Sequence, residues 1–99
     1  MAWFVYVIEC RDGSLYTGIA IDVDKRYDLH VAGKGARYTR SHPPARVLAQ
    51  FDYPDRSSAS KAEYAIKRLA PDAKRALCTG EIGIEVIDAA IAVNEAAPG

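Results

Sequence analysis

The sequence predicts an α/β domain in which a small, mainly antiparallel sheet is flanked by helices. Two runs rich in β-branched and aromatic residues are joined by an Asp-Gly turn, which is typical of a β-hairpin. Apolar residues at helical spacing follow, interrupted by one further strand-like run. The chain has 99 residues, a length that suits one domain. The predicted order is strand, strand, helix, strand, helix, helix.

The first two strands are predicted at residues 3–10 and 15–21, with Asp12-Gly13 in the turn between them. Gly18 lies inside the second strand, where a glycine often marks a bulge or a close approach of another part of the chain.

The first helix is predicted from a cap at Asp22 to about Ala32, because an aspartate side chain can accept from the free N–H groups of a first helical turn. Gly33 supplies the positive φ that ends such a helix. One stripe at helical spacing is expected to face the core. It consists of Val23, Tyr27, His30 and Val31.

The second half of the chain is predicted as a loop, a strand and two helices. The loop covers residues 33–44 and the strand residues 45–53. The longer helix is expected to begin at Ser57 or Ser60 and to end at Ala70. Pro71 fits the first turn of a short helix that runs to Leu77 and closes near Gly80.

The C-terminal segment differs in pattern and charge from the rest. Residues 82–87 alternate weakly, which indicates a last strand or an extended tail. We therefore predict a main domain at residues 1–81 and an acidic C-terminal strand or tail at residues 82–99.

Formal net charge is zero, but the charges are unevenly distributed. Residues 1–80 contain all 13 basic side chains and nine acidic ones, a balance of +4. Residues 34–46 contain Lys34, Arg37, Arg40 and Arg46 and no acid. A phosphate backbone responds to such a local patch rather than to the whole-chain sum. An ordinary solvated loop has the same composition, so charge alone leaves both interpretations open.

The cysteine spacing and the apolar runs argue against a zinc-site protein, a membrane protein and a secreted protein. Cys10 and Cys78 are far apart, which does not match the short ligand spacing of a zinc site. No apolar run is long enough to span a membrane, and the N-terminus does not have the pattern of a signal peptide. We expect a cytoplasmic protein with reduced thiols and no membrane partner.

Two tyrosines are candidates for chemistry. Tyr6 and Tyr16 are placed on facing strands of the hairpin, so two phenols can point at one spot and orient a water or take its proton. Tyrosine is also common in strands, and an ordinary aromatic pair explains the pattern equally simply.

Arg26 and His30 lie four residues apart on the first helix and are therefore neighbours. A guanidinium can bind a phosphate oxygen, and a neutral imidazole can act as a general base. The alternatives are a solvated surface arginine and a structural histidine.

Glu63 has two structural interpretations and one functional one. Ser60-Lys61-Ala62-Glu63 matches a capping box, and Glu63 with Lys67 forms a favourable i,i+4 ion pair. A single carboxylate with open water positions is also how Mg²⁺ is often held.

In this order, the candidate residues resemble the GIY-YIG nuclease superfamily, and within it the small stand-alone bacterial proteins. The resemblance covers about residues 3–78. The matching pieces are Phe4-Val5-Tyr6, Tyr16-Thr17-Gly18, Arg26, His30, the run from Gly33 to Arg40, and Glu63-Tyr64-Ala65-Ile66-Lys67. Phe4, Val5 and Thr17 depart from the family's triads, and the Asn that follows the metal-binding Glu in some members has no counterpart before Asn94.

The resemblance implies a three-stranded antiparallel sheet and a catalytic site. Glu63 would hold one divalent metal, Mg²⁺ or Mn²⁺, and Tyr6 would position or deprotonate the attacking water with help from His30. Tyr16 and Arg26 would contact the scissile phosphate. The nucleic acid, DNA rather than RNA, would be contacted by Lys34, Arg37, Tyr38, Arg40 and Lys67.

Two functions follow from these expectations. The first is metal-dependent hydrolysis of nucleic-acid phosphodiester bonds. The second is a catalytically weak module of the same fold that binds nucleic acid or a protein partner, which the zero net charge favours. A protein partner could also supply specificity to a nuclease.

Overall fold

Three antiparallel strands form the centre of the fold, and β1 lies between the other two. The fold is taken from a computed structural model that describes the backbone of residues 2–96 and the side chains of residues 2–93. The strands are β1 (Trp3–Cys10), β2 (Leu15–Ala20) and β3 (Pro44–Tyr53). This arrangement confirms the predicted α/β fold class and the antiparallel sheet.

Five helices surround the sheet in the described part of the chain. They are α1 (Val23–Val31), α2 (Arg37–Ser41), α3 (Arg56–Lys67), α4 (Pro71–Thr79) and α5 (Glu85–Ala96). Across residues 2–96, no helix has the length and apolar character needed to cross a bilayer.

Two helices differ from the sequence prediction. The predicted loop at residues 33–44 contains the five-residue α2. Residues 82–87, predicted as a strand or tail, include the first turn of α5, which begins at Glu85. The Ile84 carbonyl accepts hydrogen bonds from the Ile87 and Asp88 amides, which starts a helical turn. The helix buries Ile87 in the core. This burial outweighs the weak strand-like alternation of apolar and polar residues at 82–87. The division at residues 81 and 82 stays a prediction.

The N-terminus of α3 also differs from the prediction. Asp55 is the N-cap, and its carboxylate accepts from the Ser58 amide at 2.8 Å and from the Ser58 hydroxyl at 2.9 Å. Ser60 lies inside the helix, beyond the first four residues whose amides lack an intrahelical acceptor. Its amide therefore needs no cap, and Ser60 and Glu63 do not form a capping box. The Glu63 carboxylate therefore does not cap the helix, and it pairs instead with Lys67.

The sheet has a hydrophobic core on each face. On one face, Val5 and Val7 pack against α3, α4 and α5. On the other face, Tyr6 and Ile8 pack with Val23 of α1. This second face carries the candidate site.

The predicted inward stripe of α1 is correct for Val23 and His30, which are buried, and wrong for Val31, which is 59 % exposed. Val31 follows His30 directly, so it points about 100° away around the helix. It is also the last residue of α1, where no other element covers it sufficiently to bury it.

Thr17, which departs from the second triad of the family, lies at a position of β2 where the fold tolerates the change. Side chains alternate along β2, so Thr17 points away from the face that carries Tyr16 and Gly18. Its hydroxyl is buried and has no hydrogen-bond partner among the described residues. This substitution therefore changes the opposite core and leaves the tyrosine face unaltered.

Candidate active site

The hairpin brings Tyr6 and Tyr16 together on one face of the sheet. Tyr6 pairs with Gly18 across the two strands, and Tyr16 is two residues from Gly18, so both phenols project to the same side. Their ring centroids are 6.3 Å apart.

Gly18 makes room for this arrangement. A Cβ atom at position 18 would lie 2.5 Å from the Tyr6 hydroxyl oxygen and 2.6 Å from Cζ of the same ring. The Tyr6 side chain therefore lies directly over the Gly18 backbone, a close approach that only a residue without a side chain permits.

His30 reaches the same spot from α1. The Tyr6 hydroxyl and His30 Nε2 are 2.9 Å apart, and both side chains are 2 % exposed. The His30 ring also lies against Tyr16, with the two ring centroids 5.1 Å apart. The imidazole is thus fixed between the two phenols that the hairpin supplies.

The other side of the imidazole is enclosed by the segment that leads into α2. His30 Nδ1 is 2.7 Å from the Thr39 hydroxyl and 3.4 Å from the Ala36 amide nitrogen. A Cβ atom at Gly35 would lie 2.2 Å from Nδ1, so this glycine is needed for the segment to fit over the ring. Sequence reasoning missed Thr39 and Gly35 as site residues, although Gly35 stood in the motif Gly33-Lys34-Gly35.

Glu63 and Lys67 reach this site around the edge of the sheet. Their helix packs on the opposite face, but it lies beside β2, which is an edge strand. Lys67 Nζ is 5.9 Å from the centre of the Tyr16 ring and 3.5 Å from the Glu63 carboxylate. The Glu63 side chain is 23 % exposed, so a ligand from solvent can reach its carboxylate.

The charges around the two phenols set their proton affinity. Burial is the largest cause that raises the pKa of Tyr6, and the neighbouring Tyr16 and the Glu63 carboxylate raise it further. Burial and the Glu63 carboxylate also raise the pKa of Tyr16, while Arg26 opposes the rise at both phenols. Tyr6 is therefore a neutral phenol near pH 7, and the opposite charges of Glu63 and Arg26 shift the pKa of both phenols in opposite directions.

His30 is neutral for a related reason. Burial of the ring, aided by the nearby Arg26 guanidinium, lowers the pKa of His30 below its ordinary value. A neutral imidazole has one bare nitrogen that can accept a proton.

A stack of rings extends from the tyrosine pair toward the surface. Tyr38 of α2 lies at 6.0 Å from Tyr16 and at 4.2 Å from His42, with the ring planes close to parallel in both pairs. His42 in turn contacts the Asp12 carboxylate at 2.6 Å. Lys34, Arg37 and Arg40 are exposed on the same segment, so the predicted basic residues lie next to the ring stack.

The donor set beside the tyrosines fits a hard divalent cation. Within the described residues, no three His, Cys, Asp or Glu side chains form a cluster that could hold a metal. Glu63 is instead one accessible carboxylate that pairs with Lys67 and whose charge raises the pKa of both phenols. Mg²⁺ is often bound in this way, by one carboxylate with waters and substrate phosphate as further ligands.

The fold and this constellation match a known catalytic domain. The family model described as the GIY-YIG catalytic domain matches residues 2–75, and the chain therefore belongs to the GIY-YIG family. Membership implies nuclease-type activity and a nucleic-acid substrate, and GIY-YIG nucleases typically use divalent metals.

Within the family, the chain is similar to the small UPF0213 proteins. It is 53 % identical over 76 residues to a UPF0213 protein from Cupriavidus pinatubonensis. The aligned region covers 77 % of this chain and 84 % of the relative. The solution NMR structure of a UPF0213 protein from Bacillus halodurans is 43 % identical, with a TM-score of 0.51, and covers 80 % of this chain and 84 % of that one. A solution NMR structure from E. faecalis is 32 % identical, with a TM-score of 0.57, over 81 % and 85 % of the two chains.

Proposed function

We propose that this protein is a metal-dependent endonuclease that hydrolyses phosphodiester bonds of DNA. The observation that carries the proposal is the buried hydrogen bond of 2.9 Å between Tyr6 and a neutral His30, near enough to Glu63 for its carboxylate to raise the pKa of Tyr6. Such a pair can remove a proton from water, and the carboxylate can hold a cation next to the phosphate.

Substrate binding is assigned to the basic segment. Lys34, Arg37 and Arg40 are exposed and can contact successive backbone phosphates, which favours binding without sequence preference. Tyr38 adds an aromatic surface that is 38 % exposed and able to contact a base or sugar.

The scissile phosphate is assigned to the space between Tyr16, Arg26 and Lys67. Arg26 supplies a permanent positive charge close enough to act on both phenols. Lys67 Nζ stands over the Tyr16 ring. Positive charges at these two positions would stabilise the extra negative charge that develops on the phosphoryl oxygens.

Proton transfer is assigned to Tyr6 and His30. The raised pKa of Tyr6 makes a resting phenolate unfavourable, so the phenol acts as a relay. The attacking water gives a proton to the Tyr6 oxygen while the Tyr6 proton passes to His30 Nε2. The water oxygen then forms a bond to phosphorus, the bond from phosphorus to the leaving oxygen breaks, and that oxygen takes a proton from solvent.

Glu63 would hold the divalent metal, which when bound polarises a phosphoryl oxygen and stabilises the leaving oxygen. The Lys67 ammonium already pairs with this carboxylate. Besides the zero net charge, that pairing favours the second function, a module that binds nucleic acid and cuts it weakly, because the Lys67 ammonium competes with a metal for the carboxylate.

The test is an incubation of the purified protein with labelled single-stranded, double-stranded, nicked and branched DNA and with RNA. Each substrate is tested with Mg²⁺, with Mn²⁺ and with EDTA. We expect cleavage of DNA in the presence of metal and none in EDTA. Binding without cleavage of any substrate would refute the nuclease and support the binding module.

A further inference from the structure

Thr39 is a buried hydroxyl with two short contacts and no place in the reaction described above. It is 2 % exposed and lies on α2, a helix that has no side-chain N-cap. Its oxygen is 2.7 Å from His30 Nδ1 and 3.0 Å from the Ala36 carbonyl oxygen. The hydroxyl therefore bridges the imidazole and the backbone.

Counting protons links the direction of these hydrogen bonds to the tautomer of His30, and the bond from Thr39 to the Ala36 carbonyl favours one direction. A threonine hydroxyl has one proton, and a carbonyl oxygen can only accept, so the 3.0 Å contact uses the Thr39 proton. The Thr39 oxygen must then accept at its other contact, so the proton between Thr39 and His30 belongs to Nδ1. In a neutral imidazole, Nε2 is then bare and accepts from the Tyr6 hydroxyl at 2.9 Å.

The opposite tautomer has weaker hydrogen bonds. Thr39 would donate to Nδ1 and leave the Ala36 carbonyl, and the Ala36 amide would add its contact of 3.4 Å to the same nitrogen. A hydrogen bond of 3.0 Å would be replaced by one of 3.4 Å, in which the Ala36 amide donates to the imidazole nitrogen. The tautomer with the proton on Nδ1 gives up this 3.4 Å contact, which is longer than a typical hydrogen bond, and keeps the shorter one. Nε2 would carry the proton and donate to Tyr6, and the phenol could not pass its own proton to the imidazole.

We propose that Thr39 is a positioning residue that holds the proton of His30 on Nδ1 and so keeps Nε2 bare for Tyr6. This inference rests on the proposed function for its catalytic consequence, whereas the tautomer itself is a property of the folded chain. The arrangement follows a general rule for histidine, in which the hydrogen bond at one ring nitrogen decides what the other nitrogen can do.

The experiment measures the tautomer directly. The ¹⁵N chemical shifts of the His30 ring are recorded near neutral pH in the purified protein without nucleic acid or metal. We expect a protonated Nδ1 and a bare Nε2. A protonated Nε2 in the unmodified protein would overturn the proposal.

Two substitutions test the role of the hydroxyl. Thr39→Val keeps the shape and removes the hydrogen bonds, so we expect a mixture of tautomers or a protonated Nε2, and single-turnover cleavage at least about tenfold slower. Thr39→Ser keeps the hydroxyl and is expected to restore the Nδ1-protonated tautomer and most of the cleavage. An unchanged tautomer in a folded Thr39→Val variant would contradict the proposal. If that variant does not fold, the unmodified protein and Thr39→Ser decide the question, because both must show the Nδ1 proton.

The two proposals fail separately. If the unmodified protein has the expected tautomer but cleaves no nucleic acid, the nuclease is refuted and the positioning by Thr39 stands. If the protein cleaves but His30 is protonated on Nε2, the nuclease stands and the positioning role of Thr39 is refuted.

Discussion

Replacing Gly18 by alanine tests whether the contact between Tyr6 and His30 is needed for cleavage. The new methyl carbon would lie 2.5 Å from the Tyr6 oxygen and 3.1 Å from a ring carbon of Tyr16. Non-bonded carbon atoms prefer about 3.5–4.0 Å, so the Tyr6 ring must shift. Since Tyr6 is buried and its backbone lies in the central strand, we expect the shift to occur in the side chain and to break its hydrogen bond with His30.

The cost of this shift has two parts. Overpacking of a filled core typically costs about 1–3 kcal/mol, and loss of the buried hydrogen bond adds about 1 kcal/mol. We therefore expect the free energy of unfolding to fall by roughly 2–4 kcal/mol. General acid–base catalysis contributes roughly 10²–10⁴-fold, so we expect single-turnover cleavage to fall at least about a hundredfold.

Gly80→Ala is the matched control for Gly18→Ala. Gly80 caps α4 with a φ of 86° and has no atom within 4 Å of an added Cβ, so only backbone strain of about 1–2 kcal/mol is expected. Thermal unfolding and cleavage are measured for both variants, with rates referred to folded protein. If Gly18→Ala cleaves as fast as Gly80→Ala, the Tyr6–His30 contact is not part of the reaction.

Further predictions address binding, stability and pH. Replacing Arg37 and Arg40 by alanine should weaken binding to all sequences alike and reduce the log–log salt slope by roughly one to two units, and an unchanged slope would place the nucleic acid elsewhere. Asp55→Ala should lower the free energy of unfolding by about 0.5–2 kcal/mol, whereas Ser60→Ala should not lower it, because Asp55 is the N-cap; the opposite ranking in urea denaturation would contradict this assignment. Thr17→Val should raise the free energy of unfolding by about 1 kcal/mol, since it removes a buried hydroxyl without a partner among the described residues, and should leave cleavage unchanged. Cleavage should persist below pH ~6.5, the ordinary histidine pKa, and fall only as pH drops through the lowered pKa of His30. As pH falls, His30 is protonated in the unfolded chain before it is protonated in the folded protein. The stability due to neutral His30 is therefore present above about pH 6.5 and declines below it. In thermal melts, His30→Gln should reduce that decline.

Local signals explain the elements that were predicted correctly. Asp12-Gly13 set the hairpin, and Gly80 has the positive φ of a helix C-cap. Pro71 lies in the first turn of α4, where its missing N–H costs nothing. In each case a few neighbouring residues determine the conformation.

The two missed helices depend on contacts that are distant in sequence. Within α2, Thr39 is the one buried residue, so a helical pattern cannot be seen in five positions. In α5, Ile87 is buried in the core, and Asp88 accepts a hydrogen bond from Tyr53 at 2.9 Å. Neither partner can be inferred from the weak alternation at residues 82–87.

The same distinction applies to the site. The convergence of Tyr6 and Tyr16 follows from the hairpin register and was predictable. The approach of Glu63 around the β2 edge depends on where α3 lies, which only the resemblance to the family suggested. The enclosure of His30 by Gly35 and Thr39 had no sequence signal strong enough to identify it.

Glu63→Gln tests the central claim most directly. The substitution removes the carboxylate and the 3.5 Å ion pair with Lys67, which should cost only about 0.2–0.5 kcal/mol of stability. An amide is a poor ligand for a hard cation, so Mg²⁺-dependent cleavage should fall about a hundredfold or more, a loss of about 2.7 kcal/mol of transition-state stabilisation. DNA binding and the melting temperature should change little. Cleavage by a purified Glu63→Gln variant at the unmodified rate in Mg²⁺ or Mn²⁺ would contradict the account.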